Sequence, residues 1–241
     1  MSEGPALSRE VGHGQGFLQE DERKFYSPPA ERNKRAILDI LRKYLSNESG
    51  GTVLEVSSGS GQHVGHFAPA FPDLKFLPTE YPGMSSPMAA GPQKLDEILG
   101  SIDAYCEELP NVLPAIYLDA ASDKWASEER GQHPNFTAVI CINLCHISPY
   151  VVTEGLFAGS ARTLRAGGYL LLYGPFKFGE GPAVPESNEE FDKKLKSIDA
   201  AFGLRNVDDL DQIAAAHDMT RVAAHGMPAN NHTLVYQKKS I

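Results

Sequence analysis

The apolar positions of this chain fall into two rhythms, one helical and one of short unbroken runs. Ile37, Leu38, Ile40, Leu41, Tyr44 and Leu45 recur at helical spacing behind Pro28 and Pro29. A first helix is therefore predicted, closing at a turn over 46–51. Short apolar runs at 52–56, 74–77, 113–118, 138–143 and 169–173 then alternate with helical patterns and read as buried strands. The helical patterns are 63–70, the series Leu95, Ile98, Leu99, Ile102, Tyr105 and Leu109, and the series Leu156, Phe157, Ala161 and Leu164, which Gly167-Gly168 is expected to stop. Strand and helix in alternation make βαβ units, so the sheet is expected to be parallel, with right-handed crossovers placing helices on both faces. Two strand-like runs at 221–227 and 233–237 are joined by Pro228, Ala229, Asn230 and Asn231, which predicts an antiparallel hairpin at the end. The predicted fold is thus a doubly wound α/β sheet of seven strands, mostly parallel.

A length of 241 residues suits one such sheet, and the reading is a single domain over 21–241 behind a mobile tail over 1–20. The 41% hydrophobic and 22% charged fractions are those of an ordinary globular chain. A net charge of -9 repels polyanions, and the basic residues from Arg23 to Lys43 are interleaved with Asp21, Glu22, Glu31 and Asp39. No nucleic acid is expected as a partner; a small molecule or a protein is. Cys106, Cys141 and Cys145 are odd in number, and two of them lie in or beside an apolar run. A disulfide framework is not expected, and a reducing compartment fits. No stretch approaches the ~18 apolar residues of a membrane span, and the start MSEGPALSRE lacks the layout of a signal peptide. The expectation is an intracellular protein away from membranes, with cytoplasm and nucleus both open and the oligomeric state undetermined.

The densest chemistry lies where the first strand ends, in Val53-Leu54-Glu55-Val56-Ser57-Ser58-Gly59-Ser60-Gly61. Small residues in a strand-to-helix turn let backbone approach a ligand, and open α/β sheets bind ligands at the carboxyl ends of their strands. Glu80 ends the second strand at roughly the 20-residue separation of an acid that bonds ribose hydroxyls. Asp119 directly follows the third strand, placed to accept a bond from an adenine amino group.

These residues resemble the signature of the class I S-adenosylmethionine-dependent methyltransferases, an acidic residue before a G-x-G-x-G turn, here Glu55-x-Ser57-x-Gly59-x-Gly61. Ser57 stands where the pattern has its first glycine. The resemblance implies a Rossmann-like methyltransferase fold, S-adenosylmethionine as cofactor and S-adenosylhomocysteine as product. It also implies Glu55 near the methionyl end, Glu80 at the ribose and Asp119 at the adenine. A narrower resemblance, to the methyltransferase-like protein 26 family, covers nearly all of the chain after Arg23. Phe25-Tyr26-Ser27-Pro28-Pro29-Ala30-Glu31-Arg32-Asn33, Ser57-Ser58-Gly59-Ser60-Gly61-Gln62-His63, Asn143-Leu144-Cys145-His146-Ile147-Ser148-Pro149-Tyr150 and Tyr173-Gly174-Pro175-Phe176-Lys177 carry it. Ser187-Asn188-x-x-Phe191-Asp192 and Asn230-Asn231 extend it. It names no acceptor.

Methyl transfer from a sulfonium is an in-line displacement, so alignment matters most and proton removal second. Asn143 ends the fourth strand and His146 follows within a turn, which makes an amide and an imidazole, with Tyr173 from the fifth strand, the candidate catalytic groups. His146 is the candidate base. Cys141 and Cys145 with His146 form a poor tetrahedral set, and no metal is expected. The turn holds no cation for the cofactor's carboxylate, so Arg23 or Arg32 must reach in from the N-terminal segment, which would then close as a lid. Tyr150, Lys177, Asn188, Arg205, Asn230 and Asn231 are the candidates for lining an acceptor pocket. Two other readings stay open: a protein of the same fold that binds without catalysing, and a nicotinamide-dependent oxidoreductase. The second satisfies part of the dinucleotide fingerprint with Gly59-x-Gly61, but Val64 stands where its third glycine belongs.

Overall fold

The computed structural model describes residues 21–81, 95–125, 135–181 and 185–240. The expected tail over 1–20 and the proline-rich loop over 82–92 lie outside them. The chain runs α1 (Pro28–Leu45), β1 (Thr52–Val56), α2 (Gln62–Phe67), β2 (Lys75–Glu80), α3 (Leu95–Cys106), β3 (Ile116–Tyr117) and β4 (Phe136–Ile142). It continues as α4 (Tyr150–Thr163), β5 (Leu164–Gly174), β6 (Phe176–Lys177), α5 (Glu186–Ile198), β7 (Arg205–Asn206), α6 (Val207–Ala216), β8 (Met219–Met227) and β9 (Asn231–Lys238).

Local chemistry sets the boundaries of α1. Ser27 caps it, its hydroxyl accepting from the Ala30 N–H at 3.4 Å, and Pro28 and Pro29 occupy positions where a missing N–H costs nothing. Glu31 in the first turn and Arg42 and Lys43 in the last complement the helix dipole.

Seven strands form one sheet in the order β3-β2-β1-β4-β5-β9-β8. β1 pairs in parallel with β2 and β4, β2 with β3, and β4 with β5, while β9 runs antiparallel between β5 and β8. From β1 the chain moves outward to β2 and β3, then crosses back to β4 on the other side. The crevice between the carboxyl ends of β1 and β4 is the switch point at which open α/β sheets take ligands.

Alternation along the strands divides the interior in two. Leu54, Val56, Val139, Cys141, Leu170, Leu172, Leu234 and Tyr236 pack with Leu156 and Phe157 of α4 and Val207 and Leu210 of α6. Val53, Ala138, Ile140, Leu171, Tyr173 and Val235 pack on the opposite face with Ile37 and Leu41 of α1, Val64 and Phe67 of α2, and Ile102 of α3. The sheet is doubly wound, as predicted. Among the described residues no helix is long and apolar enough to cross a membrane.

Two expectations need correction, and one segment holds elements beyond those predicted. The strand predicted over 113–118 is reduced to Ile116 and Tyr117, with Leu113 making only a backbone bond to Phe76. Gly167-Gly168 does not stop a helix: α4 ends at Thr163 and β5 begins at Leu164. Phe136 pairs with Leu164 and Ala138 with Tyr169, so the residues between bulge out of register. Gly167 takes φ +71°, and a Cβ on Gly168 would lie 3.0 Å from the Arg165 carbonyl and 3.1 Å from that of Thr137. The pair serves that bulge. Beyond the predicted elements, the segment between β5 and the hairpin holds α5, α6 and the small parallel pair β6–β7. α5 buries few side chains (Asn188, Asp192 and Leu195), too sparse an apolar pattern to stand out in sequence.

Candidate functional site

The turn after β1 is stitched to the end of β2. Ser58 N–H donates to the Thr79 carbonyl at 2.8 Å, Thr79 N–H donates to Ser58 Oγ at 3.2 Å, and the Thr79 hydroxyl donates to the Glu55 carbonyl at 2.9 Å. These bonds bring β1 and β2 to a common rim. Ser57, Gly59 and Gly61 all have positive φ, at 60°, 58° and 90°. Gly61 is forced to be glycine twice over, because a Cβ there would also lie 2.6 Å from Ile102 Cα of α3. A Cβ on Gly59 would meet no atom within 4 Å, so the turn presents open backbone to the rim.

The Glu80 carboxylate closes this turn from the β2 side. Oε1 accepts from the Ser57 hydroxyl and from the Tyr81 N–H, each at 2.9 Å, and Oε2 accepts from the Gly59 N–H at 2.7 Å. Burial pushes its pKa up, and the three donors pull against that. Beside it Val56, Ser57, Tyr81, Leu118, Asp119, Ala120, Leu144 and Val152 line a small cleft of about 30 Å³ that opens to solvent. Three strand ends and the loop after β4 thus converge on one cavity. Asp119 spends one oxygen on its own loop, accepting from the Ala121 N–H at 2.8 Å.

Glu55 is buried on the Val53 side of β1, and among the described residues neither carboxylate oxygen has a hydrogen-bond partner. Burial pushes its pKa up to about 8, against the pull of the nearby Ser58 hydroxyl and with some help from the Glu80 charge. An uncompensated acid in a dry interior is costly to keep unless it serves a ligand or a proton.

At the end of β4, Asn143 adopts φ 60° and its N–H donates to the Tyr173 carbonyl at 2.9 Å. A Cβ on Gly174 would lie 3.3 Å from His146 Nδ1 and 3.6 Å from Asn143 Oδ1, so these two side chains meet at the end of β5. His146 also packs edge-on to Phe191 of α5, ring centroids 5.7 Å apart. Burial and the Arg205 charge lower its pKa to about 4, so the ring is neutral at physiological pH. The Tyr173 pKa is raised by burial and drawn back by the Asn33 amide and the Arg32 guanidinium beside its hydroxyl. Asn33 Oδ1 in turn lies 2.7 Å from His63 Nε2.

The structure therefore places Ser57 and Asp119 in one cleft, with Glu80 and Gly59 joined to it through their hydrogen bonds in the turn, and sets Asn143, His146 and Tyr173 at the ends of β4 and β5. The two arginines separate. Arg23 is exposed and engaged by Asp21 at 2.7 Å and Glu107 at 2.9 Å, whereas Arg32 is exposed near Tyr173 without an ion pair among the described residues. Arg205 is buried, donating to the Ser148 carbonyl and lying 5.2 Å over the Tyr150 ring, and so braces the loop after β4. Lys177 lies in β6, beside β7. Asn188 donates to the Asn230 carbonyl at 3.2 Å and Asn230 to the Ser187 hydroxyl at 3.1 Å, tying α5 to the hairpin. Asn231 donates to Pro228 and Ala229 carbonyls of its own turn.

Sequence reasoning passed over Asn33, His63, Tyr81 and Ser101. Ser101 Oγ accepts from Phe25 N–H and donates to the Ser60 carbonyl, each at 2.8 Å, joining the N-terminal segment to the glycine turn. Asn33 and His63 stand within segments that carry the family resemblance, which was the one signal that could have found them.

The fold is that of the Rossmann-like class I methyltransferases. An O-methyltransferase family protein from Burkholderia thailandensis shares it with a TM-score of 0.66 at 12% identity, over 88% of this chain and 57% of its own. An O-methyltransferase family 2 protein from Planctomyces limnophilus, solved with apigenin, gives 0.65 at 16% identity, over 87% of this chain and 58% of its own. CalO1, a methyltransferase in calicheamicin biosynthesis solved with SAH bound, gives 0.58 at 13% identity, over 86% of this chain and 54% of its own. This chain spans just over half the length of these proteins, and at such identities the likeness is one of fold. The chain belongs to the family described as Protein of unknown function (DUF938), matched over residues 24–238.

Proposed function

We propose that this protein binds S-adenosylmethionine at the β1–β2–β3 rim and transfers its methyl group to a small-molecule or protein acceptor held at the ends of β4 and β5. The observation that carries the reading is the Glu80 carboxylate, set against the Gly59 turn by three donors and adjoining the cleft that Asp119 lines. The residues fit the group. Glu80 would take ribose hydroxyl, Asp119 the adenine amino group, and the buried Glu55 carboxyl the methionyl ammonium. Arg32, unpaired among the described residues and near Tyr173, would meet the carboxylate as a planar fork.

The cofactor supplies a methyl on a sulfonium; the protein supplies alignment. Asn143, His146 and Tyr173 would orient the acceptor atom in line with it. A neutral imidazole with a pKa near 4 accepts a hydrogen bond well but retains a proton poorly, so His146 serves orientation better than deprotonation. The finer resemblance to methyltransferase-like protein 26 is part of this proposal, supported by the contacts of Asn33 with His63 and with Tyr173, which join two of the segments that carry it to a third.

Titration calorimetry with S-adenosylhomocysteine tests the reading. The wild type should bind, and Glu80→Ala should lose binding by roughly tenfold or more, the scale of hydrogen bonds to a charged group. Equal binding by both would reject the site.

A further inference from the structure

Glu80 is nearly saturated by its own protein. A carboxylate offers about four acceptor positions, two on each oxygen. On Oε1 both are filled, by the Ser57 hydroxyl and the Tyr81 N–H, each at 2.9 Å. On Oε2 the Gly59 N–H fills one, at 2.7 Å, and one is left. The Ser57 bond is the unusual member, because a side chain is needed where φ is 60° and glycine would be unstrained. A Cβ in that conformation is strained against the following carbonyl. The two backbone donors come with any sequence that folds this way; the hydroxyl belongs to this chain.

We propose that Ser57 makes this a one-hydroxyl ribose site: Glu80 holds a single ribose hydroxyl through Oε2, while Ser57 fills the position on Oε1 that the second vicinal hydroxyl would require. The inference rests on the cofactor reading above and adds a specificity to it. With glycine or alanine at 57, Oε1 regains a free position and the carboxylate can grip both hydroxyls. Ser57 therefore sets tolerance toward nucleosides altered at one ribose carbon, without itself touching the base.

The test is calorimetric titration of S-adenosylhomocysteine and its 2′-deoxy and 3′-deoxy analogues against the wild type, Ser57→Ala and Ser57→Gly. In the wild type one deoxy analogue should lose roughly tenfold or more in affinity, while the other stays within about threefold of the parent compound. In both variants the two analogues should each lose about tenfold. Comparable penalties for both analogues in the wild type would overturn the inference, as would variants that keep the wild-type pattern. If the parent compound fails to bind the wild type, the cofactor reading falls and this inference with it; binding with equal penalties removes the Ser57 inference alone. Ser57→Gly relieves the backbone strain that Ser57→Ala keeps, which offsets the lost bond to Glu80, so it should melt above Ser57→Ala and supplies a folded variant if that one is destabilised.

Discussion

Replacing Glu55 by glutamine should stabilise this protein, increasingly so as the pH rises. The carboxyl is fully buried, both its oxygens lack hydrogen-bond partners among the described residues, and its pKa is pushed from 4.5 up to about 8. In the folded chain it therefore holds a proton that the unfolded chain has already released between those values. Folded protein binds more protons there, so stability is fully present below about pH 4.5, declines as pH rises, and stops declining once Glu55 is ionised above about pH 8. At ~1.4 kcal/mol per pH unit, the whole loss is about 5 kcal/mol, and about 3 kcal/mol of it has accrued by neutral pH. Both figures are upper estimates, since water entry and local relaxation weaken burial effects in practice. Glutamine keeps the shape and cannot ionise. Urea unfolding of wild type and Glu55→Gln, from about pH 5 to about pH 8.5, isolates the contribution as the difference between the two curves. The variant should match the wild type at the acid end and exceed it by some 2–4 kcal/mol at the alkaline end. Two curves that run parallel across this window would mean that Glu55 is solvated or paired, and the argument for a stored, ligand-directed acid would fail.

Arginine substitutions should separate the two cations. Arg32→Ala should weaken S-adenosylhomocysteine binding severalfold and leave 5′-methylthioadenosine, which lacks the carboxylate, unaffected; Arg23→Ala, already satisfied by Asp21 and Glu107, should alter neither titration. Gly155→Ala places a methyl 2.3 Å from the Ala120 carbonyl and 2.7 Å from Ala121 Cα. It should cost about 1–3 kcal/mol by overpacking, read as a lowered Tm, and should also weaken nucleoside binding because the displaced loop carries Asp119. A Tm unchanged from wild type would show that α4 and that loop are not in contact.

Much of this architecture was legible in advance, and for identifiable reasons. The helical repeat from Ile37 to Leu45 and the apolar runs of β1, β4 and β5 name their own periods, and the proline pair marks where α1 starts. Gly167-Gly168 was misleading because glycine signals a departure from regular geometry without saying which: here a strand bulge, with the helix ending earlier. α5 escaped because a helix lying over strand ends with only three buried side chains carries little apolar pattern. Among the site residues, Glu80 and Asp119 could be placed because a strand end confers position on whatever follows it. Asn33 and His63 could not, since their meeting at 2.7 Å depends on where α1 lies against α2.

The sequence by itself determined the order and type of the main elements, the small-residue turn and the acids at the strand ends, because those follow from local periodicity and from spacing along the chain. Only the tertiary structure decided which of those groups are already spoken for. Whether Arg23 or Arg32 is free to bind, whether Glu55 has a partner, and how many acceptor positions Glu80 has left all depend on atoms brought together from distant parts of the chain. Hydrogen-bond saturation and desolvation are properties of that assembled neighbourhood, and no window of sequence contains it.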